Sequence, residues 1–422
     1  MNIINSLTGM IDLIDNSLNK EEIANKIFFT EEILKKTFEN FHFYEIRTPA
    51  LEDTDLFKRS VGDTSDIVNK ELYSFQDKNE KSITLRPEGT ASVIRSIIEK
   101  KLDGDPQKLW YLGPMWRYER PQKGRYRQFN QAGVEILGYE EGMSELELIS
   151  MVCCINKEFK IESPVIKINH LGSNETKNNF CKALVKYLSP MKESLNEKDL
   201  SRLSKNPLRI LDTKDSKIQT ILKKGPQISD YLSEESLNML KLIKKTFSND
   251  CEIIIDHNLV RGLDYYSGFV FEAISPNLGA QDAYLGGGRY DNLCKQLGGK
   301  DLPAIGMAIG IERLALISNI FKNDKTLVSF IIISSNLEQK AYKIAHDIRM
   351  MNSEIEINVQ LSDGSLKSKL RRANKDKSSY AIIVGDEELQ TDTVILKSLS
   401  DKEFKQKTLD LKELKQFITN LE

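Results

Sequence analysis

KLWYLGPMWRYERPQKGRYRQFNQAGVEILG, residues 108–138, places two runs of strand composition on either side of a segment that packs Arg120, Lys123, Arg125 and Arg127 into eight positions. The aromatic and apolar content of KLWYLGPMWRYE and RQFNQAGVEILG predicts an antiparallel hairpin joined by a long, positively charged loop. A long loop between rigid strands is a common seat of function. On the second strand, the two-residue repeat sends Phe129, Gln131, Gly133, Glu135 and Leu137 to one face and Asn130, Ala132, Val134 and Ile136 to the other. Gln131 and Glu135 therefore point the same way, their Cα atoms ~13 Å apart with a glycine between them, which outlines a pocket for an amino-acid-sized ligand. The segment alone also admits two other arrangements: Glu135 paired with a cross-strand base, or burial of the opposite face.

Upstream of the hairpin, KEEIANKIFFTEEILKKTFEN repeats apolar positions at helical spacing, and YEIRTPALE follows as an extended segment whose Pro49 suits an edge strand or an interface. SITLRPEGTASVIRSIIEKKL reads as a strand, a turn at Pro87 to Gly89 and a helix with Thr90 as its N-cap. Downstream, residues 173–250 are polar, lysine-rich and helical, punctuated by NPLRILD and KKGPQ, which suggests an inserted helical module. Strand character returns in CEIIIDHNLVRGLDYYSGFVFEAI, followed by AYLGGGRYDNLCKQLGG and AIGMAIGIERLALIS, whose second half is helical. Beyond FKNDKTL, strands and helices alternate through residues 327–422, as a compact α/β domain requires.

With 422 residues the chain is long enough for two or three domains. Its 60 basic and 62 acidic residues leave a formal charge of -2, so attraction to nucleic acid has to come from local patches. The five cysteines are odd in number and contain no Cys-x-x-Cys pair, which predicts reduced thiols and neither a disulfide framework nor a zinc site. No secretory leader and no apolar run of ~20 residues is present, so a soluble, cytoplasmic protein without membrane contact is expected.

Arg117 in WRYER and Arg261 in RGLDYYSG lie in or beside strand-like sequence, where a buried guanidinium needs an anionic partner. That partner is a structural carboxylate or a phosphate, whose oxygens match the guanidinium fork. Arg313 in GIERLALIS is a third candidate. The glycines of GGGRYD signal a tight turn or a close backbone approach. Neither a Walker A nor a Rossmann GxGxxG pattern occurs, and no HExxH, nucleophile elbow or Cys/His pair points to hydrolysis.

Taken in order, YEIRTPALEDTDLFKRSVGDTSDIV, TLRPEGT, WYLGPMWRYERPQKGRYRQFNQAGVEILG, LVRGLDYYSG, LGGGRYDNL and AIGMAIGIERL resemble the histidyl-tRNA synthetases, a class II aminoacyl-tRNA synthetase family. The first, third and last resemble motifs shared across class II, whereas RGLDYY and GGGRYD resemble elements peculiar to the histidine enzymes. NPLRILDTKD and LKSKLRRANK extend the likeness. One departure is SLTGMIDL, which has no arginine before Gly9 where the family carries one.

The resemblance implies an α+β fold: an antiparallel, six-stranded class II catalytic core (residues 1–172 and 251–322), a helical insertion (173–250) and a C-terminal α/β anticodon-binding domain (327–422). It implies a homodimer joined partly through the Pro49 segment, acting on L-histidine, ATP with Mg2+, and tRNA(His), with no zinc and no assigned metal ligands. Arg117 and Arg261 would contact the α-phosphate and the reacting carboxylate. Arg313 would lie toward the γ-phosphate, with Glu119, Arg125 and Tyr126 near ATP. Glu88, Gly89, Thr90 and Gln131 would hold the amino and carboxylate end of histidine, and Glu135, Tyr266 and Tyr290 would face its imidazole, with Tyr265 close by. Gln122, Lys123 and Arg127 would meet the acceptor stem. Lys367, Lys369, Arg371, Arg372 and Lys375 form a basic helix suited to the anticodon arm or simply to solvent. The competing expectation is a non-catalytic histidine sensor, such as the regulatory subunit of ATP phosphoribosyltransferase, which shares the core but normally lacks RGLDYY and the anticodon-binding domain.

Overall fold

The computed structural model describes residues 3–14, 22–62, 65–213, 215–279, 282–320, 325–333, 338–361, 363–401 and 403–421. Residues 321–324, within the segment expected to separate the last two domains, lie outside the described ones. The chain divides into two units, residues 1–321 and 322–422.

The first unit is built on one large sheet. Its strands are β1 (Tyr44–Glu45), β5 (Gln107–Trp116), β6 (Gln128–Leu137), β7 (Val165–His170), β8 (Glu252–Ile255), β9 (Phe269–Ile274), β10 (Ala283–Arg289) and β11 (Ala304–Gly310). A separate three-stranded sheet of β2 (Leu51–Asp53), β3 (Tyr73–Gln76) and β4 (Ser82–Leu85) pairs in the order β2-β4-β3. The large sheet runs β1-β5-β6-β11-β10-β9-β7-β8. Its six central strands are antiparallel throughout. The expected six-stranded core is thus present, and β1 and β8 add a parallel strand at each edge.

One sheet face carries Ala132, Val134, Ile136, Ile305, Ile309 and Phe271 into a core closed by helices Glu22–Asn40, Met143–Glu158 and Ile311–Ile317. The first of these buries Ile27, Leu34 and Phe38, the spacing that announced it in sequence. The β5–β6 hairpin forms as its composition requires, with Trp116 opposite Gln128 at the mouth of the charged loop.

Residues 173–250 fold into helices Asn174–Leu188, Glu197–Lys205, Ser216–Leu222 and Glu234–Thr246 with short 3-10 turns between them. The side chains of Ser173, Asn196, Asp215 and Ser233 accept hydrogen bonds from the first turns, which satisfies N–H groups left orphaned at a helix start. Phe180, Leu184, Ile210 and Ile218 pack together, whereas Leu240 and Ile243 of the last helix join the sheet core.

Three local expectations need correction. Thr90 is the first residue of helix Thr90–Glu99 rather than its cap, and the Glu88 carboxylate accepts from the N–H groups of Thr90 and Ala91 at 2.8 and 2.9 Å. RGLDYY is a loop between β8 and β9, not strand, because Gly268 takes a positive φ and the tyrosines turn into a cavity. The glycines of GGGRYD form no turn but lie within β10, where the close backbone approach also read from them is present: a Cβ at Gly287 would overlap the Gly306 carbonyl of the neighbouring strand. Cys153 and Cys251 face each other across the core with Cα atoms 6.0 Å apart, while Cys154, Cys181 and Cys294 stand apart from them. Sequence spacing has no access to a pair that tertiary folding brings together.

Arg289, at the end of β10, is a structural residue. Its guanidinium donates to Glu145 at 2.7 Å through Nε, to Ser144 at 2.7 Å and to Asp291 at 3.0 Å, with the Arg289 and Glu145 side chains only 3% and 0% exposed. Arg289→Met would strand a buried carboxylate, so chemical denaturation should register a loss of about 3–5 kcal/mol.

The second unit is a five-stranded sheet ordered β13-β12-β14-β15-β16, from β12 (Leu327–Ile332), β13 (Glu356–Val359), β14 (Tyr380–Val384), β15 (Thr393–Ser398) and β16 (Lys407–Asp410). The first three strands are parallel, and the helices Glu338–Met351 and Leu366–Lys375 connect them. Strand β16 was not foreseen: four residues, largely exposed at a sheet edge, carry little apolar alternation. Among the described residues no helix is long and apolar enough to cross a membrane.

Candidate active site

The face of the large sheet opposite its helical core is cleared of side-chain bulk. Gln131 on β6 stands between Gly113 of β5 and Gly310 of β11, and Glu135 faces Gly306. A Cβ at Gly306 would overlap the Glu135 carboxylate, and one at Gly286 would overlap the Arg261 guanidinium. These glycines let polar groups lie flat against the sheet.

Two adjoining cavities open on this face, about 840 and 320 Å3 in volume. The smaller is lined by Glu88, Thr90, Gln131, Tyr265, Tyr266 and Tyr290. Glu119, Tyr126 and Arg313 line the larger, and Arg117, Arg125, Gln131 and Arg261 border both. The structure therefore brings together residues drawn from β6, β10, the charged hairpin loop, RGLDYY and the helix after β11.

In the smaller cavity the Gln131 Oε1 is buried and has no hydrogen-bond partner, an acceptor open to a ligand's N–H. Glu135 is fully buried and lines neither cavity; its carboxylate accepts from Thr90 Oγ1 at 2.7 Å and from the Tyr290 hydroxyl. No cross-strand base pairs with it, since its neighbours across the sheet are Leu109 and Gly306. Burial pushes its pKa up to about 8, against the opposing effect of the two hydroxyl bonds. Glu88, equally buried, is also raised by desolvation. The rings of Tyr265 and Tyr266 pack 4.7 Å apart, with Tyr290 5.7 Å from Tyr265.

The larger cavity sets four arginines among carboxylates: Arg117, Arg125, Arg261 and Arg313 line it beside acids that include Glu119 and Glu272. Arg117 donates to the Pro87 carbonyl at 2.9 Å and lies over the Phe129 ring. Arg125 pairs with Glu119. Arg313 has its pKa lowered by burial first and by the nearby Arg125 charge second, against the opposing effect of Glu272, Asp282 and Glu119. Arg261 donates to Glu272 at 2.6 Å, while its Nε is buried without a partner. The carboxylate partner weighed from sequence is thus real, yet it engages one edge of the fork only.

Residues 122 and 125 close the tip of the charged loop through paired backbone bonds, leaving Gln122 and Lys123 exposed and outside both cavities. Arg127 is turned back, donating to the Glu119 carbonyl at 3.1 Å and covering the Tyr118 ring. The Arg127 N–H reaches the Gly9 carbonyl at 2.7 Å, a backbone contact that the missing N-terminal arginine does not affect. In the second unit, Lys367, Arg371, Arg372 and Lys375 are exposed along helix Leu366–Lys375, whereas Lys369 donates to the Ile332 carbonyl at 2.7 Å.

Sequence reasoning missed Tyr111, Glu272 and the insertion's Arg202, Arg209 and Asp212. Tyr111 stands opposite Gly133 and its ring fills the space a Cβ would take at Gly133 and Gly89. The hairpin register would have found it. Arg202, Arg209 and Asp212 line the smaller cavity from a helical module with no periodic link to the sheet.

Residues 19–314 match the family model described as histidyl-tRNA synthetase, and residues 327–421 match that of an anticodon binding domain. The histidine–tRNA ligase of Francisella philomiragia is 42% identical, covering 93% of this chain and 94% of its own. That of Prochlorococcus marinus is 43% identical over 92% and 90%. Among solved structures, apo histidyl-tRNA synthetase from S. aureus is 31% identical, with a TM-score of 0.79 over 99% of this chain and 100% of that one. A Bacillus halodurans chain described as an ATP phosphoribosyltransferase regulatory subunit/histidyl-tRNA synthetase shares the fold at 19% identity and a TM-score of 0.66, over 91% of this chain and 98% of that one.

Proposed function

The chain belongs to the histidyl-tRNA synthetase family, and from that premise we propose how its two cavities divide the charging of tRNA with histidine. Its function is that of a histidine–tRNA ligase with ATP as substrate. The histidine-sensing alternative keeps the fold, but the likeness to the ligases runs through both units, anticodon-binding domain included.

The smaller cavity takes histidine. Gln131 and Glu88 receive the α-amino group, and Thr90 lies at the same end. The imidazole stacks toward Tyr266 and Tyr290 and meets Glu135 by displacing Thr90 or through the Tyr290 hydroxyl. The larger cavity takes ATP, its phosphates among Arg117, Arg125 and Arg313. One carboxylate oxygen of histidine attacks the α-phosphorus, the bond to the bridging oxygen breaks, and pyrophosphate leaves. The step needs alignment and positive charge rather than a base. Arg261, which borders both cavities, sits where the two substrates meet. The 3'-terminal adenosine hydroxyl then attacks the adenylate carbonyl and AMP departs.

Among the described residues no cluster of three acidic, histidine or cysteine side chains is placed to hold a metal. Mg2+ carried by ATP asks for less of the protein, because it uses phosphate oxygens and one or two carboxylates, and Glu119 lines that cavity. Bound there, it would neutralise phosphate charge. Homodimerisation through the Pro49 segment belongs to the same proposal; Leu51 and Phe75 are exposed apolar side chains on the adjoining small sheet. Gln122 and Lys123 are the loop residues available to a tRNA acceptor end.

The observation that carries the reading is the juxtaposition of a polar cavity lined by Gln131 and three tyrosines with one that carries Arg117, Arg125 and Arg313, across Arg261. Its test is histidine-dependent exchange of pyrophosphate into ATP, followed across pH. Burial raises the Glu135 pKa to about 8, and free imidazole is neutral above about 6.5. If the bound pair shares one proton, binding is proton-neutral between those values, releases a proton below them and takes one up above. Histidine affinity should therefore peak in that window. Absence of exchange would return the chain to the sensor class, and affinity rising through pH 8 would show an ionised acid meeting a neutral ring.

A further inference from the structure

The motif NPLRILD, residues 206–212, has no task in the mechanism above, yet its side chains reach the loop that carries the mechanism. Pro207–Asp212 forms a 3-10 turn. At three residues per turn, positions 206 and 209 lie on one side of it. Asn206 Nδ2 donates to Asp264 Oδ1 at 2.9 Å, and Arg209 Nε donates to the same oxygen at 3.1 Å. Arg209 Nη2 also donates to the Gly262 carbonyl at 2.7 Å. One guanidinium thus spans the RGLDYY loop, gripping its backbone directly after Arg261 and its side chain directly before Tyr265.

The grip is braced from both sides. Arg202 pairs with Asp199 and Asp212, and Thr213 Oγ1 donates to Asp199 at 2.9 Å, which holds the 3-10 turn to the preceding helix. Asp264 is held from beneath, its N–H reaching the Val61 carbonyl, and a Cβ at Gly62 would overlap its carboxylate. A second contact from the insertion, Lys177 Nζ to the Tyr266 carbonyl at 3.1 Å, fixes the other end of the loop. Tyr265 and Tyr266 share an apolar cluster with Phe180, Leu184 and Ile210 of the insertion.

We propose that Asn206 and Arg209 are positioning residues for histidine activation: through Asp264 and Gly262 they hold the RGLDYY loop so that Arg261 and Tyr266 face the substrates. The insertion then serves the first step of the reaction as well as any contact with tRNA. A loop containing Gly262 has wide backbone freedom when released, and displacement of a reacting group by ~1 Å is enough to cost ~100-fold in rate. Charge-assisted bonds to a carboxylate and a carbonyl are suited to prevent it.

The inference rests on the roles assigned above to Arg261 and Tyr266. Its test uses the full-length enzyme without tRNA, in pyrophosphate exchange. Arg209→Ala and Asp264→Ala should each lower kcat/KM for histidine roughly tenfold to hundredfold, with KM for ATP little changed. The double variant should lose less than the product of the two single losses, because the Arg209–Asp264 bond is common to both, and Arg209→Lys, which keeps charge but not the fork, should recover part of the loss. Normal exchange in Arg209→Ala, with only transfer to tRNA impaired, would overturn the proposal. So would losses that multiply in the double variant, since Arg209 would then act on a ligand directly. Should Arg209→Ala melt well below the parent, Asn206→Ala removes a single neutral donor and carries the same comparison, a lowered kcat/KM for histidine at unchanged Tm supporting the proposal and an unchanged kcat/KM refuting it. Exchange retained in Arg261→Ala would instead remove the premise, whereas exchange lost there but intact in Arg209→Ala would sink the clamp alone.

Discussion

Arg261→Ala should yield a folded protein that exchanges pyrophosphate into ATP roughly 10³-fold more slowly than its parent. Arg261 lies flat over Gly286 at the junction of the two cavities, one edge held by Glu272 at 2.6 Å and Nε without a partner. A guanidinium held in place beforehand needs no reorganisation when charge develops on the phosphoryl group, which is why its loss falls on kcat more than on substrate binding. The fold should survive because Glu272, left behind, is partly exposed and can be solvated. Exchange close to that of the parent would remove Arg261 from the reaction.

Glu135→Gln should lower kcat/KM for histidine by about 10- to 100-fold, the value of a hydrogen bond to a charged group, while KM for ATP stays near that of the parent. Its pH profile should also lose the alkaline fall-off. The stability effect has the opposite sign. The folded-state pKa of about 8 lies above the ordinary value of 4.5, so between these values the unfolded chain gives up a proton that the folded chain keeps. Stability falls as pH rises through that window and levels off above it. The amide has no such dependence, so thermal unfolding above pH 8 should show the variant at least as stable as the parent. Unchanged histidine affinity would refute the imidazole contact.

The hairpin was legible in the sequence because strand alternation and charge segregation are local properties, and the same two-residue repeat correctly paired Gln131 with Glu135 on one face. Its flanking glycines were visible too, although their partners across the sheet were not. What stayed hidden depends on distant chain. Glu88 caps helix Thr90–Glu99 from outside the usual position, so the residue-type rule selected Thr90, whose hydroxyl instead donates to Glu135. RGLDYY has the aromatic content of a strand, but burial of its tyrosines against Tyr290 outweighs that preference. The meeting of Cys153 with Cys251 and the reach of Arg209 to Asp264 bring together residues of separate elements, and no local pattern encodes either.

The strand order β6-β11-β10-β9-β7 has a consequence for the growing chain. Strand β6, which carries Gln131 and Glu135, pairs early with β5, but its other neighbour begins only at Ala304. Until that segment has been made, the β6 edge presents an open row of N–H and C=O groups, a template for pairing with other chains. Such late, non-local closure is slow compared with hairpin formation. A chain that stops short of β11 therefore keeps that edge open and lacks the strand that stands beside Gln131 and Glu135.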